Sequence, residues 1–262
     1  MPGFTDQTGR FISVSSHPER IVSLVPSLTE LLYDLGLNDR VAAITKFCIH
    51  PQSWFRSKQR IGGTKTPDLF KIRAIQPGLI IASKEENIRA HIDELAMDFP
   101  VWVSDINTIE DAYEAIGQLG LLTGRHREAG TILDAIRSEM DTLHSLRERI
   151  PVCYLIWRNP YMTTGGDTFI NAMLEAARFD NVFADKYRYP EITLSEINQR
   201  SPAIVLLSSE PFPFASKHID EIKKELPSTR VILVDGELFS WYGSRMRKAP
   251  RYFLNLREHG IY

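Results

Sequence analysis

Cysteine is almost missing from this chain of 262 residues: Cys48 and Cys153 are the two it has. Two are too few for a disulfide-stapled scaffold, and they are expected in different lobes, so no bridge is predicted and the redox compartment is left open. Charge of one sign is missing too. Against 33 Asp and Glu stand 31 Lys and Arg, a net charge of −2, and the basic residues are scattered. No patch is left to neutralise a phosphate backbone, which excludes nucleic acid as an expected partner. No run approaches the ~20 apolar residues of a membrane span, so the chain is not expected to insert in a membrane. The first twenty residues lack an apolar core of roughly 7–15 residues behind a basic start. The chain as written is therefore expected in the cytoplasm, or periplasmic or lipid-anchored if a leader has been removed.

Enzyme signatures are absent as well. There is no G-x-S-x-G elbow, no H-E-x-x-H and no C-x-x-C. Gly62-Gly63-Thr64-Lys65-Thr66 ends like a phosphate loop, but the glycine four residues earlier is missing and Thr64 separates Gly63 from Lys65. Cys48 and His50 could be a nucleophile and base or half of a metal site. Alternate residues of an extended chain point to opposite sides, however, and no second pair of ligands is evident, so an incidental pair is the favoured reading. His17, His91, His126, His144, His218 and His259 are expected as solvated side chains. No catalytic residue, no metal ligand and no cofactor is assigned. Neither an internal repeat nor a low-complexity segment is evident.

What is present is an alternation of strands and helices. Ile21 to Val25 is a β-branched run stopped by Pro26; Ser27 and Glu30 then read as a capping box for a helix carrying Leu28, Leu31, Leu32 and Leu35 and ending at Gly36. Strands are expected at Val41 to Thr45, Gly78 to Ser83 and Val101 to Ser104, with helices at Pro67 to Ile75 and Ile88 to Met97. From Thr108 the strand signal stops. Ile109 to Leu122 and Arg125 to Arg149 read as helices, the second with Ile132, Ile136, Met140, Leu143 and Leu146 on one stripe over about 25 residues, or roughly 37 Å. Pro151 ends it. Strands at Val152 to Trp157, Ala203 to Ser208 and Val231 to Val234 then alternate with helices at Phe169 to Ala177, Leu194 to Gln199, His218 to Glu225 and Arg247 to Glu258. The expected class is α/β, with parallel sheets in two Rossmann-like lobes joined by a long backbone helix: residues 1–107, a helical linker 108–150, and residues 151–262.

Ligands of parallel α/β sheets collect outside the carboxyl ends of the strands. Aromatics are concentrated in the loops that follow these strands, with Phe47, Trp157, Tyr161, Phe212, Phe214, Trp241 and Tyr242, and Tyr187 and Tyr189 in a further loop. Rings on polar loops suit a large, flat, partly apolar ligand, although core packing explains any single one of them equally well.

Several segments carry a resemblance. Arg20-Ile21-Val22-Ser23-Leu24-Val25-Pro26-Ser27-Leu28-Thr29-Glu30, Ile61-Gly62-Gly63, Pro67-Asp68-Leu69 through Ile72, Ile75-Gln76-Pro77, Gly165-Gly166-Asp167-Thr168-Phe169-Ile170 and Asn181-Val182-Phe183 together resemble the helical-backbone periplasmic substrate-binding proteins. These include the vitamin B12- and ferric-siderophore-binding components of ABC importers. The resemblance implies a rigid helix between lobes, a ligand cleft between them, and a corrinoid, haem or iron chelate as ligand rather than a cofactor. It places Pro26, Ser27, Phe47, His50, Thr64, Lys65, Glu85, Asn87, Trp157, Arg158, Tyr161, Tyr189, Trp241, Tyr242 and Arg245 at the cleft. Lys65, Arg158 and Arg245 are candidates to face carboxylate or phosphate groups, a bracing salt bridge being the other reading for Arg245. It also implies an ABC permease as partner, met by a glutamate from each lobe. Those positions here carry Phe70 and Ser195, with Asp68 and Glu196 close by as docking candidates. The protein is expected as a monomer and not an enzyme. The alternatives are a cytoplasmic chelate- or corrinoid-handling protein or enzyme using Cys48 and His50, and a partner-binding scaffold with a vestigial cleft.

Overall fold

The computed structural model describes residues 3–15 and 17–259, the side chain of His259 lying outside that description. The chain divides into two compact units. The first comprises Met1–Ile106, Glu110–Ile136 and Tyr242–Arg245; the second comprises Asn107–Ile109, Arg137–Trp241 and Met246–Tyr262.

The first unit opens with an antiparallel hairpin, β1 (Gly3–Thr5) and β2 (Phe11–Ser13). There follow β3 (Ile21–Ser23), α1 (Pro26–Asp34), β4 (Val41–Ile44), α2 (Gln52–Ser57), β5 (Gln59–Arg60), α3 (Leu69–Ile75), β6 (Leu79–Ser83), α4 (Arg89–Ala96), β7 (Val101–Ser104) and α5 (Ile109–Leu122). Helix α6 (His126–Asp141) starts in the first unit and ends in the second. The five strands pair in the order β5-β4-β3-β6-β7, all parallel. A parallel sheet is covered on both faces, which is why β3, β6 and β7 are buried at every residue and read as continuous apolar runs rather than as alternation. Val22, Leu24, Ile72, Ile80, Ala82, Ile92 and Val103 share one core. The hairpin covers the exposed edge of β7: Asp6 Oδ2 accepts from Val103 N at 3.1 Å and Gln7 Oε1 from Asp105 N at 3.2 Å. Ladder donors that would otherwise face outward are thereby satisfied.

The second unit contains β8 (Ile150–Trp157), β9 (Tyr161–Thr163), α7 (Phe169–Ala176), β10 (Phe179–Asn181), β11 (Glu191–Ile192), α8 (Leu194–Arg200), β12 (Ile204–Ser208), α9 (Ser216–Glu225), β13 (Arg230–Val234), α10 (Glu237–Ser240) and α11 (Ala249–His259). Its sheet runs β11-β9-β8-β12-β13, with β10 paired to the first residues of β8. β8, β10, β12 and β13 are parallel, while β9 and β11 are antiparallel additions.

The two units repeat one module. Helix α3, Gln76 in the left-handed region, Pro77 and β6 match α8, Ser201 in the left-handed region, Pro202 and β12, with a constant offset of 125 residues from Leu69 and Leu194 to Ser83 and Ser208. Both helices carry a side-chain N-cap, Asp68 Oδ1 accepting from Lys71 N at 3.0 Å and Thr193 Oγ1 accepting from Glu196 N at 3.2 Å. The sequences agree at few positions, so the repeat is carried by cap, turn and burial and not by identity.

Four expectations are corrected. Ser27 is not a helix cap: Pro26 occupies the first turn, Val25 is the N-cap with no side-chain bond, and Glu30 lies inside the helix. Proline's fixed φ starts the helix two residues earlier than the Ser-x-x-Glu pattern suggests. Pro67 is likewise outside its helix, which starts at Leu69 behind the Asp68 cap. The long helix is shorter than its apolar stripe: α6 has 16 residues, about 24 Å, and passes into a 3₁₀ turn at Thr142–Ser145. There Thr142 Oγ1 donates to Glu139 O and Ser145 Oγ to Thr142 O, side-chain bonds that compete with continuation of the α-helix. Finally, the second sheet is mixed rather than parallel, because β9 returns directly from β8 after a short turn.

Candidate functional site

In the first unit the loops beyond β4, β5 and β6 lie side by side. Lys46 N donates to Gly62 O, and Gly63 N to Thr66 O in a tight turn. A Cβ on Gly63 would stand 3.2 Å from the Phe47 ring, 3.2 Å from Thr66 Oγ1 and 3.5 Å from Lys46 Cε, so a side chain there would crowd the ring and the turn. Phe47 is nevertheless 51% exposed, with Lys46 Nζ 5.1 Å from its ring centre. Asn87, buried, ties the next loop in: its Nδ2 donates to Thr64 O at 3.0 Å, and its Oδ1 accepts from Ser83 N at 2.8 Å. Lys65 Nζ donates to Glu85 O at 2.7 Å. Thr64, Lys65, Glu85 and Asn87, scattered in sequence, are thus brought together.

The other expected residues of this unit are buried or half-buried. Tyr242 is buried, its hydroxyl 3.2 Å from Ser83 Oγ and 3.1 Å from Glu86 Oε1, and burial pushes that hydroxyl well above the usual tyrosine range. Arg245 is buried against Glu30. Pro26 and Ser27 are buried at the start of α1, and Ser27 Oγ has no hydrogen-bond partner among the described residues. His50 is half-buried on the loop that carries Phe47. Cys48 lies between Thr29 Oγ1 at 3.1 Å and Thr45 Oγ1 at 3.2 Å, and burial pushes its thiol up to about 11. It is a protonated, enclosed thiol at neutral pH, the opposite of the exposed thiolate that a nucleophile requires.

In the second unit the end of β8 carries a second aromatic group. Trp157, 39% exposed, meets Phe212 edge-on at 5.7 Å, and Phe212 meets Phe214 at 4.8 Å and His218 at 5.4 Å. His218 is buried, not solvated: its Nδ1 accepts from Ala215 N at 2.8 Å, and burial, then Lys217 and Arg158, lower its pKa and keep the ring neutral. Beside this cluster Arg158 grips Glu221, Nη2 lying 2.8 Å from both carboxylate oxygens, while Tyr161 donates to Oε1 at 3.0 Å. Glu221 holds the Arg158 pKa up, and Arg158 holds the carboxyl of Glu221 below its ordinary value. Tyr189 packs under the Arg188 guanidinium at 5.5 Å in a separate loop. Trp241 is buried, its Nε1 donating to Glu210 Oε1 at 2.8 Å.

The Gly165-Gly166-Asp167-Thr168 segment is scaffold. Thr164 and Thr168 hydroxyls meet at 2.5 Å, and Asn181 Nδ2 donates to Thr164 O and to Asn171 Oδ1. A Cβ on Gly165 or Gly166 would stand 2.3 Å from the carbonyl of Lys186 or Ala184. Asp68 and Glu196 are partly exposed in the first turns of α3 and α8, where Asp68 accepts from Lys71 N and Glu196 Oε2 from Thr193 N. Phe70, beside Asp68, is exposed, as is Ser195. Among the described residues no three of His, Cys, Asp and Glu converge as a metal site, and no helix is long and apolar enough to cross a membrane. Sequence reasoning missed Lys46, whose signal was its place directly before Phe47, and Glu221, whose place opposite Arg158 had none.

Residues 21–231 match the sequence model of the family described as periplasmic binding protein. Over 245 residues, 92% of this chain and 84% of the relative, the sequence is 25% identical to the vitamin B12-binding protein of Yersinia pestis. The fold is similar to that of the periplasmic vitamin B12 binding protein of Vibrio cholerae, with a TM-score of 0.77 at 19% identity, covering 92% of this chain and 99% of that one. It is equally similar to a periplasmic haem-binding protein of Roseiflexus, with a TM-score of 0.77 at 18% identity over 90% of this chain and 98% of that one.

Proposed function

The chain belongs to the periplasmic binding protein family, and from that premise we propose that it captures a metal chelate, a corrinoid, haem or ferric siderophore, for an ABC-type importer. The family is one of binding proteins, and the aromatic groups described above, one in each unit, support a binding role. The observation that carries the reading is the pair of exposed rings at the carboxyl ends of parallel strands, Phe47 after β4 and Trp157 at the end of β8. An aromatic held open on a tightly bonded loop forgoes burial that its neighbours obtain, and a flat ligand restores that burial. The place of action follows the family: the periplasm, or the outer face of a membrane. Docking to the permease would use the first turns of α3 and α8, the two copies of the repeated module, with Asp68 and Glu196 as the acids nearest the contact.

Titration with cyanocobalamin, haemin and ferric siderophores, followed through tryptophan fluorescence, tests the reading. Quenching by at least one, lost in Trp157→Ala, is expected. Silence against all of them at high micromolar ligand would overturn it.

A further inference from the structure

Among the cations singled out at or near the candidate surfaces, most are already matched. Arg158 is held by Glu221, Arg245 by Glu30, and Lys84 by Asp105 at 2.5 Å. Two are not. Lys46 and Lys65 are exposed and have no carboxylate within ion-pair distance among the described residues. Lys46 extends over the Phe47 ring, and Lys65 is tied to a backbone carbonyl, that of Glu85, with Glu86 of the same loop turned toward Tyr242.

Free surface lysines are ordinary, and these differ from others in where they are fixed. Both stand on loops locked by backbone bonds, Lys46 N to Gly62 O and Gly63 N to Thr66 O. Lys46 lies over the ring that rests beside Gly63 and stays half open to solvent, and Lys65 stands on the turn between Gly63 and Thr66. A half-exposed ring with one unmatched ammonium group over it and a second on the adjoining turn complements a flat body with negative groups at its rim, since charge-assisted contacts to carboxylate or phenolate oxygens are the strong ones.

We propose that Lys46 and Lys65 with Phe47 form an anion-reading subsite, so that the chelate this protein takes is an anionic one, rimmed by carboxylate or catecholate oxygens, and not a neutral amide- or hydroxamate-type chelate. The inference rests on the chelate-binding reading and narrows it. It also reassigns the anion-facing role away from Arg158 and Arg245, whose guanidinium groups are committed to carboxylates of the chain itself.

The test is equilibrium dialysis of the whole protein against coloured probes: haemin and ferric tris-catecholate as anionic chelates, ferric tris-acetohydroxamate and cyanocobalamin as neutral ones. The wild type is expected to hold an anionic probe at least about tenfold tighter than either neutral probe, and to lose that margin as salt rises. Lys46→Met with Lys65→Met should weaken the anionic probe by about tenfold or more while changing any neutral binding by less than about twofold. An unchanged melting temperature, expected for two exposed side chains, keeps folding out of the result. Neutral probes bound as tightly as anionic ones, or an anionic preference surviving the double change, would overturn the subsite and leave the chelate reading standing. Silence against all four probes would overturn both.

Discussion

Arg245 and Glu30 are 215 residues apart and meet as a two-point ion pair, Nε to Oε2 at 2.6 Å and Nη2 to Oε1 at 3.1 Å, with both side chains about nine-tenths buried. Such a pair is not strongly stabilising in itself, but leaving either charge alone in that environment is costly. Arg245→Ala or Glu30→Ala should each lower stability by about 3–5 kcal/mol in urea unfolding, while Glu30→Leu combined with Arg245→Met should cost far less than the two single changes added together. Additive losses would mean that the charges do not depend on each other.

Glu210 is the reverse case, a mostly buried carboxylate whose Oε1 accepts from Ser240 Oγ at 2.5 Å and Trp241 Nε1 at 2.8 Å. Burial raises its pKa above 4.5, and neighbouring Glu237 and Asp235 add to the rise against the Ser240 and Trp241 bonds. The folded state therefore favours the protonated form. This group's contribution is fully present below the ordinary carboxylate value and is lost as pH rises through the raised one. Glu210→Gln keeps the accepting oxygen and removes the charge. Its melting temperature should exceed that of the wild type at neutral pH, the difference vanishing in acid.

Both thiols should be silent in the native protein. Burial pushes Cys48 up to about 11 and Cys153 up to about 12. A thiol-specific reagent at mildly alkaline pH is expected to find neither in the folded state and both in denaturant. Rapid native labelling of Cys48 would revive it as a reactive group.

Trp157 and Trp241, alike as loop tryptophans in sequence, should separate in experiment. Trp157→Ala removes an exposed ring and is expected to change stability by less than about 1 kcal/mol while weakening chelate binding. Trp241→Ala empties a buried position and strips a donor from Glu210, with an expected cost of about 3–5 kcal/mol in unfolding.

Gln76 and Ser201 end α3 and α8 at φ values of 50° and 49°, where a side chain is strained and glycine is not. Gln76→Gly and Ser201→Gly forfeit a bond to the last turn, Gln76 Nε2 to Arg73 O at 2.9 Å or Ser201 Oγ to Asn198 O at 3.1 Å. Each should nonetheless be neutral to stabilising, by up to about 1 kcal/mol, and by similar amounts.

Much of the fold is legible in the sequence because β6, β7 and β12 are buried on both faces, leaving uninterrupted apolar runs between turn residues. The two-residue strands β5 and β11 are not legible, since their pairing depends on neighbours rather than on local pattern. Nor is the repeated module, whose halves share a left-handed residue before proline but have Gln in one copy and Ser in the other. The candidate surfaces are legible as loops and less so as residues. Phe47 and Tyr242 look alike as loop aromatics; which one is open depends on Ser83 and Glu86, more than 150 residues away from Tyr242. The same holds for the cations: only the placement of Glu221 and Glu30 tells a committed arginine from an available lysine.

Neither unit is a continuous stretch of coding sequence, since Tyr242–Arg245 belongs to the first while its flanks belong to the second. A gene fragment ending at Ile136 would express α1 with Glu30 deprived of its guanidinium, and Ser83 and Glu86 deprived of the Tyr242 hydroxyl. No single stop codon or start codon yields a first unit with its interior complete. The interior of the first unit is therefore finished only once Tyr242–Arg245 has been made and has joined segments synthesised more than a hundred residues before it.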